Sequence, residues 1–323
     1  MPYFLAIDLG GTKTAVVLGD EEAQVLEKVS FATDHAGGPK KVMEDVRRAA
    51  EEVCRRRGMK VAEVEAVGVS CGGPLDSAAG VILGPPNLPG WDYVPIVAEL
   101  QAFTGRPTWL DNDANAGAVA EWKFGAGIGT RNMVFITAGT GFGAGLILDG
   151  RLYCGTNDMA GEIGHVRLER YGPLAYGKPG SVDGLCGGAG MARIARQMMD
   201  EAARRGVQSE LFMAARTAPV TAKMVAEAAD DRDGLAQDIL RAVGEYWGRA
   251  LAILVDILNP ERIVLGSLAV RLGDKILAPA REALAREALP RSAAVCEIVP
   301  AKLGERLGDV AALCVAMRLG RQP

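Results

Sequence analysis

Phe4-Leu-Ala-Ile-Asp8-Leu-Gly10-Gly11-Thr12-Lys13-Thr14 stands at the start of the chain, and Met133-Val-Phe-Ile-Thr137-Ala-Gly139-Thr140-Gly141 echoes it. Each is a short apolar run of the buried-strand type, stopped by glycines. One constant shift, 129 positions from Phe4 to Met133, also carries Gly10 onto Gly139, Ala15 onto Ala144 and Asp20 onto Asp149. Both copies read strand, glycine loop, strand, acidic turn, strand. Spacing and order agreeing together point to an internal duplication.

Outward from the first copy, apolar runs over Thr14–Gly19 and Ala23–Phe31 complete a strand meander around the Gly19-Asp20 turn. Val42, Val46, Ala49 and Val53 share one helical face over Lys41–Arg57, and Gly58 is the stop. Ala66–Ser70 is a buried-type strand. The stretch from Gly80 to Pro95 has too many prolines for a long helix. Helices are predicted at Ile96–Phe103 and Ala114–Phe124, separated by a short strand, Pro107–Leu110, that delivers Asp111-Asn112-Asp113. In the second half a long helix ends at Asn259-Pro260. The strand Arg262–Leu265 leads into Gly266-Ser267, then a helix, the strand Glu297–Pro300 and a C-terminal helix. Such alternation indicates α/β layers.

The chain has 323 residues, enough for roughly two domains, with 49% hydrophobic and 24% charged residues. A net charge of −4 supplies no basic field for a phosphodiester backbone, so nucleic acid is not expected as a partner. The longest uncharged run, Asn132–Leu148, holds four glycines and is too short for a membrane span. The N-terminus reads as a strand without a basic leader, and the six cysteines form no CxxC pair. A cytoplasmic protein with reduced thiols is expected. Glycine is abundant, at 41 residues, as befits loops that bring backbone close to a ligand. Histidine occurs only twice, at 35 and 165, which leaves few donors for metal or imidazole chemistry.

Three motifs fail on structural grounds. Gly172 to Lys178 begins like a phosphate-binding Walker loop, but Pro179 replaces the Ser or Thr that must hold Mg²⁺. Gly68-Val-Ser70-Cys-Gly72 matches a nucleophile elbow, yet Gly72-Gly73-Pro74 cannot open the helix an elbow needs. Gly139 to Gly145 is never spaced GxGxxG, so no dinucleotide fold is indicated.

The paired glycine loops remain. Gly10, Gly11, Thr12 and Lys13 offer unhindered N–H groups, a hydroxyl and a cation to phosphate oxygens. Asp8, at the strand end, can hold Mg²⁺ through water. The copy at Gly139, Thr140 and Gly141 has Thr137 in place of the acid. Each loop alone also reads as an ordinary hairpin turn. By itself Asp113 reads first as a helix N-cap; a carboxylate there can also be a base that takes a proton from a substrate hydroxyl oriented by Asn112. Glu162 and His165, three apart among glycines, form another polar cluster.

These residues resemble the ROK family of sugar kinases and repressors, within the actin-like, ribonuclease-H-like ATPases. The matching stretches are AIDLGGTKT, GGPLD, GVILGPPNLPGW, DNDANAGA, TAGTGFGAGLIL, GEIGH and LGDVAAL, in family order over nearly the whole chain. The glucokinase-like members are the most similar. The resemblance implies a duplicated, two-domain α/β fold of the ribonuclease-H-like (actin-like ATPase) type with an interdomain cleft. Residues 1–115 with about 302–323 would form the domain of the first phosphate loop and the sugar, and 116–301 the larger one with the second loop and the adenosine side. Asp8 and Gly10 to Lys13 would meet ATP phosphates and Mg²⁺, with Gly139, Thr140 and Gly141 as the second loop. Gly266 and Ser267 would stand where the family has a glycine pair near adenosine. Gly73, Asn87, Asn112, Glu162, His165 and Asp183 would bind the sugar, and Asp113 would be the base.

The implied activity is ATP-dependent phosphorylation of a free hexose, most directly glucose at its 6-hydroxyl. An N-acetylmannosamine or other hexose kinase, or a silent sugar-binding regulator, is the competing reading. A homodimer is expected. With the first loop starting at Asp8, no DNA-binding domain is expected before it. One departure stands out. Family kinases carry a CxCGxxGCxE zinc segment after GEIGH, where this chain has Leu174, Tyr176 and Ser181 for the cysteines and Asp183 for the glutamate. Structural zinc is therefore not expected.

Overall fold

In a computed structural model that describes residues 1–321, the first glycine turn joins β1 (Phe4–Leu9) to β2 (Lys13–Gly19), and β3 (Val25–Ala32) completes an antiparallel meander. Helix α1 (Gly38–Arg56) begins three residues earlier than predicted because Pro39 suits a first turn, where its missing N–H leaves no bond unmade. The chain returns through β4 (Ala66–Cys71), parallel to β1, then through a small hairpin of β5 (Leu75–Asp76) and β6 (Val81–Ile82). Helix α2 (Ile96–Thr104), strand β7 (Thr108–Asn112) and helix α3 (Asp113–Phe124) follow. The predicted end of β7 at Leu110 is corrected to Asn112. The parallel ladder with β4 runs on, pairing Ser70 with Asp111 and Cys71 with Asn112, so these are sheet residues.

The second copy comprises β8 (Met133–Ile136), β9 (Ala144–Leu148) and β10 (Arg151–Tyr153). A hairpin of β11 (Leu174–Ala175) and β12 (Lys178–Pro179) precedes α4 (Val182–Cys186), α5 (Gly188–Arg204), α6 (Glu210–Ala214) and α7 (Ala222–Asp230). The long α8 (Gly234–Leu258) stops at Asn259, whose left-handed φ of 46° ends the helix before Pro260. Then come β13 (Arg262–Leu265), α9 (Leu268–Leu272), α10 (Asp274–Glu287), α11 (Pro290–Ala293), β14 (Glu297–Pro300) and α12 (Leu307–Ala316).

The two five-stranded sheets share one topology, β3-β2-β1-β4-β7 and β10-β9-β8-β13-β14. In each, a meander is extended by two parallel strands, β4 and β7 in one and β13 and β14 in the other. This is the duplicated α/β fold that the repeated loops predicted. The chain forms two compact units: Met1–Arg131, Gly145–Ala160 and the residues from Leu303 onward make the first, and Asn132–Ala144 with Gly161–Lys302 the second. No helix among the described residues is long and apolar enough to cross a membrane. All six cysteines are free thiols.

Strand alternation divides the first sheet between two helices. Leu5, Ile7 and Leu9 enter a core with Val42, Met43 and Val46 of α1. On the other face Gly68 of β4 lets α12 lie directly on the backbone: a Cβ there would stand 2.5 Å from the Ala312 carbonyl and 2.7 Å from the Ala316 Cα. Gly68→Val should therefore lift α12 and cost about 1–3 kcal/mol or more by overpacking, with Gly68→Ala less damaging. Thermal denaturation of both variants checks the order; equal stability with the wild type would contradict this close packing.

Candidate active site

In the first unit, parallel register brings the carboxyl ends of β1, β4 and β7 side by side, Asp8 beside Ser70 and Ser70 beside Asp111. The glycine turn after β1 is closed by Gly10 N–H donating to the Lys13 carbonyl at 3.2 Å. Thr33 of the loop after β3 braces it, its hydroxyl donating to the Gly10 carbonyl at 2.6 Å and its N–H to the Thr12 carbonyl at 3.1 Å. Thr12 and Lys13 are left exposed. Gly11 packs against Asn87, where a Cβ would meet the Asn87 Cβ at 2.9 Å. Gly72 also faces the Asn87 amide, and a Cβ on Gly73 would lie 3.1 Å from Asn112 Nδ2. Gly11, Gly73, Asn87 and Asn112 thus lie together, gathered from four separate stretches of sequence.

The N-cap of α3 is Asn112, in extended conformation, whose Oδ1 accepts from Ala114 N at 2.9 Å. Asp113 therefore lies inside the helix. Its Oδ1 takes a second contact from the same N–H, also at 2.9 Å, while the side chain remains exposed to solvent. The surrounding protein still thins out bulk water enough to raise its pKa above the ordinary carboxylate value. Behind it, buried Asp111 accepts from Asn112 N at 2.8 Å and from Asn115 Nδ2 at 3.3 Å through Oδ1. Its Oδ2 pairs with Arg321, with Nε at 3.0 Å.

Asp8 is half-buried, and its pKa is pushed up to about 6, first by burial and then by the negative charges of Asp309 and Asp113. Asp309 escaped the sequence reading. It sits in the first turn of α12, paired with Lys28 of β3, while the neighbouring Gly308 packs on the Asp8 carboxylate. The only signal was the small-residue run LGDVAAL, which indicates a tightly packed helix but names no partner.

In the second unit the loop from Thr137 to Gly143 closes on itself. Thr137 N–H donates to the Gly143 carbonyl at 2.9 Å, and its hydroxyl accepts from Gly143 N at 3.2 Å. Thr137 thus completes the turn where Asp8 projects a charge. The Gly139 carbonyl accepts from Gly188 N at 2.9 Å and the Ala138 carbonyl from Leu268 N at 3.0 Å, so α5 and α9 pin the loop at their N-termini. Gly139 packs near the side chain of Ser267, which follows Gly266 with a positive φ of 42°. Thr140 is exposed. Asp183 Oδ1 accepts from Phe142 N at 2.6 Å, and its carboxylate packs against Gly164, tying the loop to the helical turn Ile163–His165. Burial raises its pKa. Glu162, just before that turn, and His165, its last residue, are both exposed.

The rejected motifs resolve simply. Ser70 lies inside β4, 1% exposed. Gly172 to Lys178 spans the β11–β12 hairpin, with no strand-to-helix phosphate turn. The same hairpin holds Leu174 and Tyr176, and Ser181 caps α4 by accepting from Gly184 N. Among the described residues no group of three His, Cys, Asp or Glu side chains is arranged to hold a metal ion.

A sequence model of the ROK family matches residues 4–318. The chain belongs to the ROK family. This ROK chain is 32% identical over 313 residues to a glucokinase of Halalkalibacterium halodurans, covering 95% of this chain and 93% of the other. It is 30% identical over 279 residues to an N-acetylmannosamine kinase of Salmonella typhimurium, covering 83% and 93%. Its fold is similar to that of a ROK family glucokinase from Streptomyces griseus, solved with glucose and AMPPNP. The TM-score is 0.79 at 28% identity, over 98% of this chain and 99% of that one.

Proposed function

We propose that this ROK protein is an ATP-dependent hexose kinase acting on the 6-hydroxyl of glucose or a closely related hexose. The observation that carries the reading is the carboxyl edge of the first sheet, where Asp113 stands solvent-accessible beside Asn112 and within the electrostatic reach of Asp8. Asn87 and Asn112, with the Gly73 backbone, hold and orient sugar hydroxyls, and the family resemblance assigns sugar contacts to Glu162 and His165 as well. Asp183 acts through the loop it ties, since Phe142 N already occupies one of its oxygens. Gly10 to Lys13 bind ATP phosphates; the family resemblance assigns a phosphate role to Gly139, Thr140 and Gly141 and an adenosine role to Gly266-Ser267 as well.

Asp113 accepts the hydroxyl proton, and the sugar oxygen bonds to the γ-phosphorus. The bond from that phosphorus to the β,γ-bridging oxygen breaks, releasing ADP. The raised pKa of Asp113 makes it a stronger base than an ordinary carboxylate. The acidic edge suits Mg²⁺, a hard ion that takes few protein ligands: its donors are oxygens, and a cation would offset both the burial and the repulsion from Asp309 and Asp113 that raise Asp8. Bound there through water to Asp8, Mg²⁺ would neutralise phosphate charge.

A coupled ADP assay across hexoses and N-acetylhexosamines tests this reading. Glucose or a close hexose should turn over fastest. Preference for N-acetylmannosamine would move the assignment to the activity of the Salmonella relative, and binding without turnover would sink the kinase. No zinc is required, because Leu174, Tyr176 and Ser181 offer no thiolate beside His165. The purified protein should contain no stoichiometric zinc and recover full activity from EDTA once Mg²⁺ is in excess. One tightly held zinc per chain by metal analysis would contradict this.

A further inference from the structure

Tyr176 occupies an unusual place. It is the first residue of the two-residue turn between β11 and β12, whose flanking pair is Ala175 and Lys178. Both turn residues have positive φ, 46° at Tyr176 and 73° at Gly177, as a type I′ turn demands. Glycine and asparagine enter that conformation readily, and a bulky aromatic does so rarely. The residue is nevertheless 59% exposed, so burial in a core does not account for it. It lies instead against the His165 imidazole, with centroids 5.5 Å apart and planes inclined by 32°. The same hairpin grips the histidine from the main-chain side, Lys178 Nζ donating to the His165 carbonyl at 2.7 Å. Partial burial first, and then the carboxylates of Asp183 and Glu162, raise the Tyr176 hydroxyl's pKa.

We infer that Tyr176 is the positioning residue for His165: the β11–β12 turn presents its ring to hold the imidazole in the orientation that reads the sugar. This rests on the hexose-kinase reading for its kinetic consequence, but not for the stack itself. A ring held against another at an exposed site contributes enough to change sugar affinity by about three- to tenfold.

Tyr176→Asn separates positioning from structure, because Asn before Gly is the pair a type I′ turn favours and the ring alone is lost. Tyr176→Phe keeps the ring. The chain has two histidines, so imidazole ¹H–¹³C spectra give one signal for His165 and one for His35 as an internal reference. In Tyr176→Asn the His165 signal should move while His35 stays, and melting should be no lower than wild type. Hexose KM should rise about three- to tenfold, with kcat and the KM for ATP unchanged, and Tyr176→Phe should restore both readouts. An unmoved His165 signal overturns the inference. So does a moved signal with an unchanged hexose KM. Failure of the kinase reading has a different signature: the wild type itself would phosphorylate no sugar, while the His165 shift would still report on the stack.

Discussion

Asp113→Asn should lower kcat by about 10²–10⁴ while leaving sugar affinity and thermal stability nearly unchanged. The substitution keeps size and an oxygen that can face Ala114 N, and the true cap, Asn112, is untouched. What disappears is a carboxylate able to take the hydroxyl proton. Because the base works ionised, wild-type activity should fall as pH is lowered through the raised pKa of Asp113, and that acid limb should be missing from the residual activity of the variant. Stopped-time assays across pH, sugar binding measured by titration calorimetry, and thermal denaturation check these four statements. Loss of folding would instead make Asp113 a structural residue.

Arg321→Ala should destabilise the first unit by about 3 kcal/mol, because removing one partner strands a buried charge. Asp111 is 5% exposed and its Oδ2 pairs with Arg321 Nη2 at 2.9 Å, while Arg321 Nη1 donates to Ser77 Oγ at 3.1 Å. Burial pushes the Asp111 pKa up, and Arg321 is the main group opposing it. The other oxygen of Asp111 accepts from Asn112 N, so the loss should also loosen the residue that caps α3, the one proposed to orient the acceptor hydroxyl. Adding Asp111→Asn to Arg321→Ala should recover much of the stability, since a neutral amide tolerates that site without a cation. Chemical denaturation of the single and double variants measures the difference. A single variant within 0.5 kcal/mol of wild type, on the order of a surface substitution, would remove the pair from the account.

What could be read from the sequence were the features that local chemistry announces. Apolar runs ending in glycine marked β1 and β8, and their common spacing pointed to a repeated strand–loop–strand unit before any contact was known; the shared sheet order came from the structure. Asp8 and Asp113 stood out because each lies at or just beyond the carboxyl end of a short predicted strand. The features that escaped depend on contacts between distant residues: Lys28 and Asp309 are 281 positions apart, and Asp111 and Arg321 are 210 apart. No periodicity encodes such a pairing. Capping by Asn112 and not Asp113 turned on one backbone angle, the extended ψ of 144° at Asn112, which two adjacent capping residues leave undecided. The β11–β12 hairpin was equally hidden, because two-residue strands carry no alternation and Tyr-Gly is not a favoured turn pair. Asp183 read as a sugar ligand by position. Its bond to Phe142 N, 41 residues away, gives it a part in the architecture of the second loop.

The most direct measurement follows a mixture of glucose, Mg²⁺ and ATP by ³¹P NMR, with the wild type and with Asp113→Asn. The account predicts that the γ-phosphate signal of ATP gives way to a sugar 6-phosphate monoester and ADP in equal amounts with the wild type, and that Asp113→Asn does so at least about a hundredfold more slowly. Intact ATP in a wild-type sample that binds glucose, or a variant as fast as the wild type, would contradict it.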